Sequence, residues 1–234
     1  MIKKLIAALV VVVLIVVGFG VWYFVIRDDS VEKSTVGCDP EPCEASTADS
    51  TDGTWTIDPA ASEAKLVITE TIGGLADHQV QGNTGEVTGD VTVAGSEVTA
   101  ADLTVDLTGL EFTDAPPGFN VANRANAMKT TGLETEAFPE ATFVLTAPIA
   151  LSDDVTSGEV ITSEATGDLT LHGVTNPVTF EISVVAKGDT FEVTPSEFIP
   201  VVLSDHDMSV DAPGFVADIA DEGSFDFVLV LEQA

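Results

Sequence analysis

Between residues 167 and 182, apolar side chains fall at every second position on both sides of one short break. Leu169 and Leu171 alternate with Asp168, Thr170 and His172, while Val178, Phe180 and Ile182 alternate with Thr179 and Glu181. A period of two sends successive side chains to opposite faces of an extended chain, which is the pattern of a half-buried strand. Between the runs, Gly173 permits a positive φ and Pro177 biases Asn176 towards an extended backbone. The stretch is expected to form a β-hairpin with one apolar and one wet face.

The same period recurs from Trp55 onward. Trp55 and Ile57, Leu66 and Ile68, then Val87, Val91 and Val93 carry it, although Val67 blurs the second run. Leu103, Val105 and Leu107 follow, then Phe143 and Leu145, Phe191 and Val193, residues 198–203, and finally Phe225, Phe227, Leu229 and Leu231. Gly-, Asp- and Ser-rich breaks separate these runs, so the expected class is all-β and antiparallel. Only residues 120–131 (NVANRANAMKTT) read as helix, with Val121, Ala125 and Met128 on one face. Two similar turns, Asp114-Ala115-Pro116-Pro117-Gly118-Phe119 and Asp211-Ala212-Pro213-Gly214-Phe215, are expected to border one opening.

Ahead of this domain, residues 55–234, lie two segments of different character. Residues 1–27 contain the run LIAALVVVVLIVVGFGVWYFVI at 5–26, which holds no charge. As a helix it would span about 33 Å, enough for a hydrocarbon core. Lys3 and Lys4 precede it and Arg27 follows, which favours a cytoplasmic N-terminus. Trp22 and Tyr23 stand where an interfacial belt is expected. The run is longer than the apolar core of a cleaved signal peptide and ends in bulky residues, so an uncleaved transmembrane anchor is expected. Residues 28–54 are rich in Asp, Glu, Ser and Thr without apolar periodicity and read as a disordered acidic linker. As a flexible chain the linker would reach about 30 Å. It holds both cysteines, Cys38 and Cys43, which outside the membrane can oxidise to a small ring. Two thiols with no nearby His cannot complete a zinc site.

Charge narrows the partners. The chain has 39 acidic and 8 basic side chains, a formal net charge of −31. Phosphate neutralisation needs clustered Lys and Arg, so no nucleic-acid partner is expected. Histidines 78, 172 and 206 are scattered, no glycine-rich phosphate loop occurs, and no cofactor or metal is implied. Ser204-Asp205-His206 brings together residue types found in hydrolases, but a triad needs residues that converge from separate positions. No enzymatic activity is expected.

Three stretches resemble a known family. Gly167-Asp168-Leu169-Thr170-Leu171-His172-Gly173-Val174-Thr175-Asn176-Pro177-Val178 is similar to the signature hairpin of the YceI-like family of extracytoplasmic proteins. Trp55-Thr56-Ile57-Asp58-Pro59 with Ser62 resembles that family's first strand. Phe138-Pro139-Glu140-Ala141-Thr142-Phe143 resembles its Pro-x-x-Thr-Phe segment. The resemblance implies a lipocalin-like, eight-stranded antiparallel barrel with one short helical insertion, enclosing an isoprenoid or other amphiphile. Where the family usually has Arg-Asp-x-His-Leu, this chain reads Arg124-Ala125-Asn126-Ala127-Met128. The acid and the histidine are gone, so the resemblance does not carry over a head-group preference.

The inward-facing set then becomes the expected ligand wall: Leu66, Ile68, Leu103, Val105, Leu107, Met128, Phe143, Leu145, Phe180, Ile182, Phe225 and Phe227. A wall without polar anchors suits a hydrocarbon tail. Periodicity alone leaves open a barrel packed solid, acting through an acidic face as an envelope interaction module. Arg124 is the expected polar contact. From Trp55 onward only Lys65, Arg124, Lys129 and Lys187 are basic, and Arg124 with Lys129 would form one positive spot able to hold a phosphate, carboxylate or quinone oxygen. A surface pairing of Arg124 with Asp114 or Glu134 is the alternative. The expected protein is a single-pass cell-membrane protein, its domain extracytoplasmic, binding an isoprenoid-like or fatty lipid. The sequence names no protein partner.

Overall fold

In the computed structural model, which describes residues 2–21, 30–48, 50–72, 76–112, 125–209 and 216–234, strands carry almost the whole domain. They are β1 (Gly53–Ile57), β2 (Glu63–Ile72), β3 (Ala76–Thr84), β4 (Val87–Ala94), β5 (Glu97–Asp106), β6 (Glu111–Phe112) and β7 (Glu140–Leu145). After them come β8 (Ile149–Ala150), β9 (Ile161–Leu171), β10 (Val174–Lys187), β11 (Thr190–Pro195), β12 (Ile199–Val202) and β13 (Val216–Gln233).

Register reduces these pieces to eight staves. β1 pairs with β13 up to Ile57↔Leu231, and β2 resumes the same edge at Glu63↔Val228. The two are one strand interrupted at residues 58–62. Ser62 fills the interruption by accepting the Val230 amide at 2.9 Å. In the same way β4 and β3 line β1 and β2, β5 and β6 line β4 and β3, and β11 and β12 line β13. With β7, β9 and β10 between them, each stave is antiparallel to the next in the chain. The β1–β13 pairing shuts the circle. This is an eight-stranded up-and-down barrel, with β8 added as a short flap on β5. Closure leaves no long free edge, the commonest liability of an antiparallel sheet.

The expected hairpin is β9–β10, paired from Leu171↔Val174 to Ile161↔Val184. His172 (φ +52°) and Gly173 (φ +75°) form its two-residue loop, both in the left-handed region that suits the twist of the flanking strands. A Cβ on Gly173 would lie 2.8 Å from the Phe138 ring, so a glycine is required twice over. Two of the three stretches that carry the family resemblance therefore meet in space.

Three expectations change. First, β3 carries no periodic signal, because its sequence ADHQVQGNT offers Val80 as its single large aliphatic residue. It forms because β2 supplies a complete register partner, Ala64↔Thr84 to Ile72↔Ala76. Second, the acidic linker is not a loose tether where it is described. Residues 30–48 and 50–52 run along the outside of the barrel as an extended strap. Val31 N–H donates to Gln79 Oε1 at 2.9 Å and Ser34 N–H to Asp226 Oδ2 at 2.7 Å. Further on, Cys43, Ser46 and Thr47 donate to the carbonyls of Gly158, Thr156 and Gly188. Low hydrophobicity is a poor guide here because main-chain and side-chain hydrogen bonds fasten most of this segment, with apolar burial limited to residues such as Cys43 and Ala48. Cys38 and Cys43 are joined as a disulfide within it.

Third, the N-terminal run forms α1 (Ile2–Val21), 20 residues long, and the remainder of 5–26, including Trp22 and Tyr23, lies outside the described residues. Among the described residues no helix is long and apolar enough to cross a membrane. Of the expected helix at 120–131, residues 125–127 are helical and run into a single π-helical turn, Met128–Gly132. Arg124 and both proline-containing loops lie outside the described residues.

Asp226 anchors the strap. It is 1 % exposed, accepts the Ser34 amide, and stands 3.6 Å from Lys65 Nζ, which itself donates to Ser34 Oγ at 2.7 Å. Replacing Asp226 by Ala leaves a buried amide and a half-buried ammonium without this acceptor. Chemical denaturation should then show a loss of about 1.5–3 kcal/mol, the range for hydrogen bonds to a charged group.

Candidate functional site

Because the staves alternate, half of their side chains point down the barrel axis. They divide the interior into two chambers. The chamber towards the β10–β11 turn has about 890 Å³ of space not filled by atoms, its mouth included. Trp55, Val93, Ala101, Leu145, Ala165, Ile182, Val184 and Phe191 contribute to its wall. The other, towards the β2–β3 turn, has about 820 Å³, with Leu66, Val105, Leu107, Leu110, Ala141, Leu169 and Phe225 in its wall. Leu103, Phe143, Phe180, Phe227 and Leu229 line both.

Of the residues expected at a ligand wall, ten reach the chambers. Leu145 and Ile182 line the first, Leu66, Val105, Leu107 and Phe225 the second, and Leu103, Phe143, Phe180 and Phe227 both. Ile68 and Met128 line neither. They are buried with Val80, Leu110, Leu133 and Met208 in an apolar cluster beyond the second chamber, where side chains from the strands and the π-helical turn fill the space. Arg124 is outside the described residues. Ala101, Ala141 and Ala165 are wall residues that the sequence reading passed over. Their signal was an even spacing from Leu103, Phe143 and Gly167, easily missed because alanine carries so little apolar weight.

Polar residues also contribute to the lining, Lys65, Thr84, Thr142 and Asp226 among them in the second chamber. Thr51 and Ser163 border the first chamber, and Thr51 O accepts the Trp55 indole N–H at 2.8 Å. Glu70 and His78 are both buried and face one another across β2 and β3, in phase with inward Ile68 and Val80. His78 stands alone in the sequence, and only the β2–β3 register brings the two together.

At the far rim, His172 Nε2 lies 2.8 Å from Glu134 Oε2, and His172 Nδ1 lies 3.2 Å from the His206 carbonyl. His172 also packs against Phe138 at a tilt, ring centroids 4.2 Å apart. Lys129 Nζ donates to Thr108 O at 2.6 Å, which ties this cation to a turn. In that turn the Thr108 hydroxyl, and then its amide, donate to Asp106. Against the opposing effect of burial, and with a lesser contribution from the Lys129 charge, they hold the Asp106 carboxyl below its usual range.

The hydrolase-like residues do not assemble. Ser204 Oγ donates to Asp221 Oδ2 at 2.6 Å, while His206 Nδ1 is 3.1 Å from the Val174 carbonyl. Nucleophile and base are thus committed to different partners. Among the described residues no three His, Cys, Asp or Glu side chains gather as a metal site.

A model of the YceI-like domain matches residues 55–231. The chain belongs to the YceI-like family. A UPF0312 protein of Pseudomonas putida (strain W619) is 36 % identical over 91 residues, 38 % of this chain and 44 % of the relative. Protein YceI of Escherichia coli O17:K52:H18 (strain UMN026 / ExPEC) is 42 % identical over 57 residues, 24 % of this chain and 26 % of the relative. The chain thus matches less than half the length of these curated relatives.

Two solved structures share the fold. A polyisoprenoid binding domain from Saccharophagus degradans, implicated in plant cell wall breakdown, superposes with a TM-score of 0.60 at 18 % identity, covering 77 % of this chain and 98 % of that one. BcnA of Burkholderia cenocepacia gives 0.56 at 20 % identity, with 74 % and 98 % covered. At these identities the likeness concerns the YceI-like fold alone.

A carboxyl depressed in the folded state lends stability above its unfolded pKa, and that stability fades as pH falls through the folded value. Thr108→Val removes the largest cause of the Asp106 shift. An NMR titration should therefore show the Asp106 carboxyl moving up towards the ordinary range, and the stability this group loses on acidification should be smaller than in the wild type.

Proposed function

We propose that this YceI-like barrel binds the hydrocarbon tail of an isoprenoid-like or fatty amphiphile, without chemical turnover. The observation that carries the reading is the interior itself: two adjoining chambers walled mainly by Leu, Ile, Val, Phe and Ala. Burying a tail there gains about 0.8 kcal/mol per methylene, with no polar partner needed along its length. The shared fold with a polyisoprenoid binding domain supports the same reading.

The proposal extends to location. Val10 to Phe19 of α1 present large apolar side chains at half exposure or more, a surface suited to lipid. Lys3 and Lys4 favour a cytoplasmic N-terminus. The Cys38–Cys43 disulfide fits an oxidising compartment on the other side. We therefore place the barrel outside the cytoplasm, tethered to the cell membrane through the whole apolar run 5–26, of which α1 is the described part.

Organic extraction and mass spectrometry of the full-length protein from its host should yield a prenyl or fatty amphiphile in near-stoichiometric amount. Ala165→Trp, which fills the first chamber, should reduce that yield by about tenfold, since the buried tail supplies the binding energy. Equal yields from both proteins would mean that the first chamber does not hold the lipid, which leaves the second chamber or the N-terminal apolar run. For the tether, membranes washed with alkaline carbonate should retain the protein with Met1 or its neighbours as the N-terminus. Release of a shortened, washable form would contradict the anchor.

A further inference from the structure

The two chambers meet at a row of three rings. Phe143 and Phe180 lie edge to face with centroids 5.5 Å apart, and Phe180 and Phe227 do so at 6.3 Å. The rings come from three different strands, β7, β10 and β13, and all three border both chambers. Phe180 stands in the middle of the row. Along β10, Val178 belongs to one chamber and Ile182 to the other, so the division falls at Phe180 itself.

β9 is shaped to receive these rings. Its inward positions opposite them are Ala165, the register partner of Phe180, and Gly167, the partner of Leu145. A Cβ on Gly167 would collide with Phe143 Cζ, so the ring of Phe143 occupies the place where a side chain of β9 would stand. Bulk has been removed from one stave and supplied from its two neighbours. The result is a cross-wall in an interior that is otherwise open lengthwise.

We infer that Phe143, Phe180 and Phe227 form an aromatic partition that limits a bound tail to one chamber and so selects ligands by tail length. The inference rests on the amphiphile-binding reading above. Edge-to-face rings attract one another, and that attraction keeps the row closed against thermal swinging. A tail longer than one chamber reaches the second only by turning Phe180 aside. Affinity therefore stops rising once the tail fills the first chamber it enters.

The test uses the full-length protein in nanodiscs and measures equilibrium binding of geraniol, farnesol and geranylgeraniol. In the wild type, affinity should level off along this series. In Phe180→Ala the chambers merge, and geranylgeraniol should gain about tenfold or more relative to geraniol, because the additional methylenes become buried. Phe180→Leu and Phe227→Leu provide milder openings should the alanine variant fail to fold, and each should shift the ratio in the same direction. Binding of all three prenols with the same length profile in wild-type and opened variants overturns the partition alone. Absence of prenol binding in every protein overturns both the partition and the amphiphile reading.

Discussion

Closure by β13 is the constraint on which the interior depends. This strand, 18 residues long, is bordered on one side by β1 and β2 and on the other by β11 and β12. Its alternation is therefore read by four neighbours at once. A slip of one residue would turn Phe225, Phe227, Leu229 and Leu231 outward and bring Asp226 and its neighbours into the chambers. Two things resist such a slip: the β1–β13 register itself, and the polar group of Asp226, Lys65 and Ser34 on the outer face. The same strand thus fixes what lines the cavity and what binds the strap.

The interruptions in the staves have a related role. Long strands coil strongly, and a barrel of eight cannot keep every stave regular from end to end. The break at 58–62 is bridged by Ser62 Oγ and by the Asp58 amide, which donates to Val230 O. The two halves can then turn relative to each other without leaving backbone groups of β13 unpaired. At the β9–β10 end, His172 and Phe138 do comparable work, joining the hairpin loop to the segment before β7.

How much was legible follows from what each residue signals by itself. Leu103, Phe180 and Phe227 sit in strict alternation, and their facing was readable without knowing any partner. The Gly173 turn was readable for the same reason, because its chemistry is local. β3 was not, because its place is dictated by β2. Glu70 and His78 become neighbours only through that register. Ile68 and Met128 look like wall residues from spacing, yet whether an inward side chain lines a void or fills one depends on what comes towards it from across the barrel. The strap was misread for a different reason: hydrophobicity measures burial, and this segment is held chiefly by single hydrogen bonds to loops distant in sequence.

The strap also gives the barrel a direction. It first meets the barrel near Gln79, close to the β2–β3 turn, and reaches Gly158 and Gly188 at the opposite end before β1 begins. With the apolar run 5–26 seated in a bilayer as proposed, three residues (27–29) separate it from the strap, a length that no chain conformation stretches beyond about 15 Å. The end bearing the second chamber is then the one leashed near the lipid surface, while the first chamber points away from it. Such a protein cannot act as a free shuttle across the envelope. It would work as a fixed berth, exchanging its cargo only with the membrane beside it or with whatever approaches its outer end.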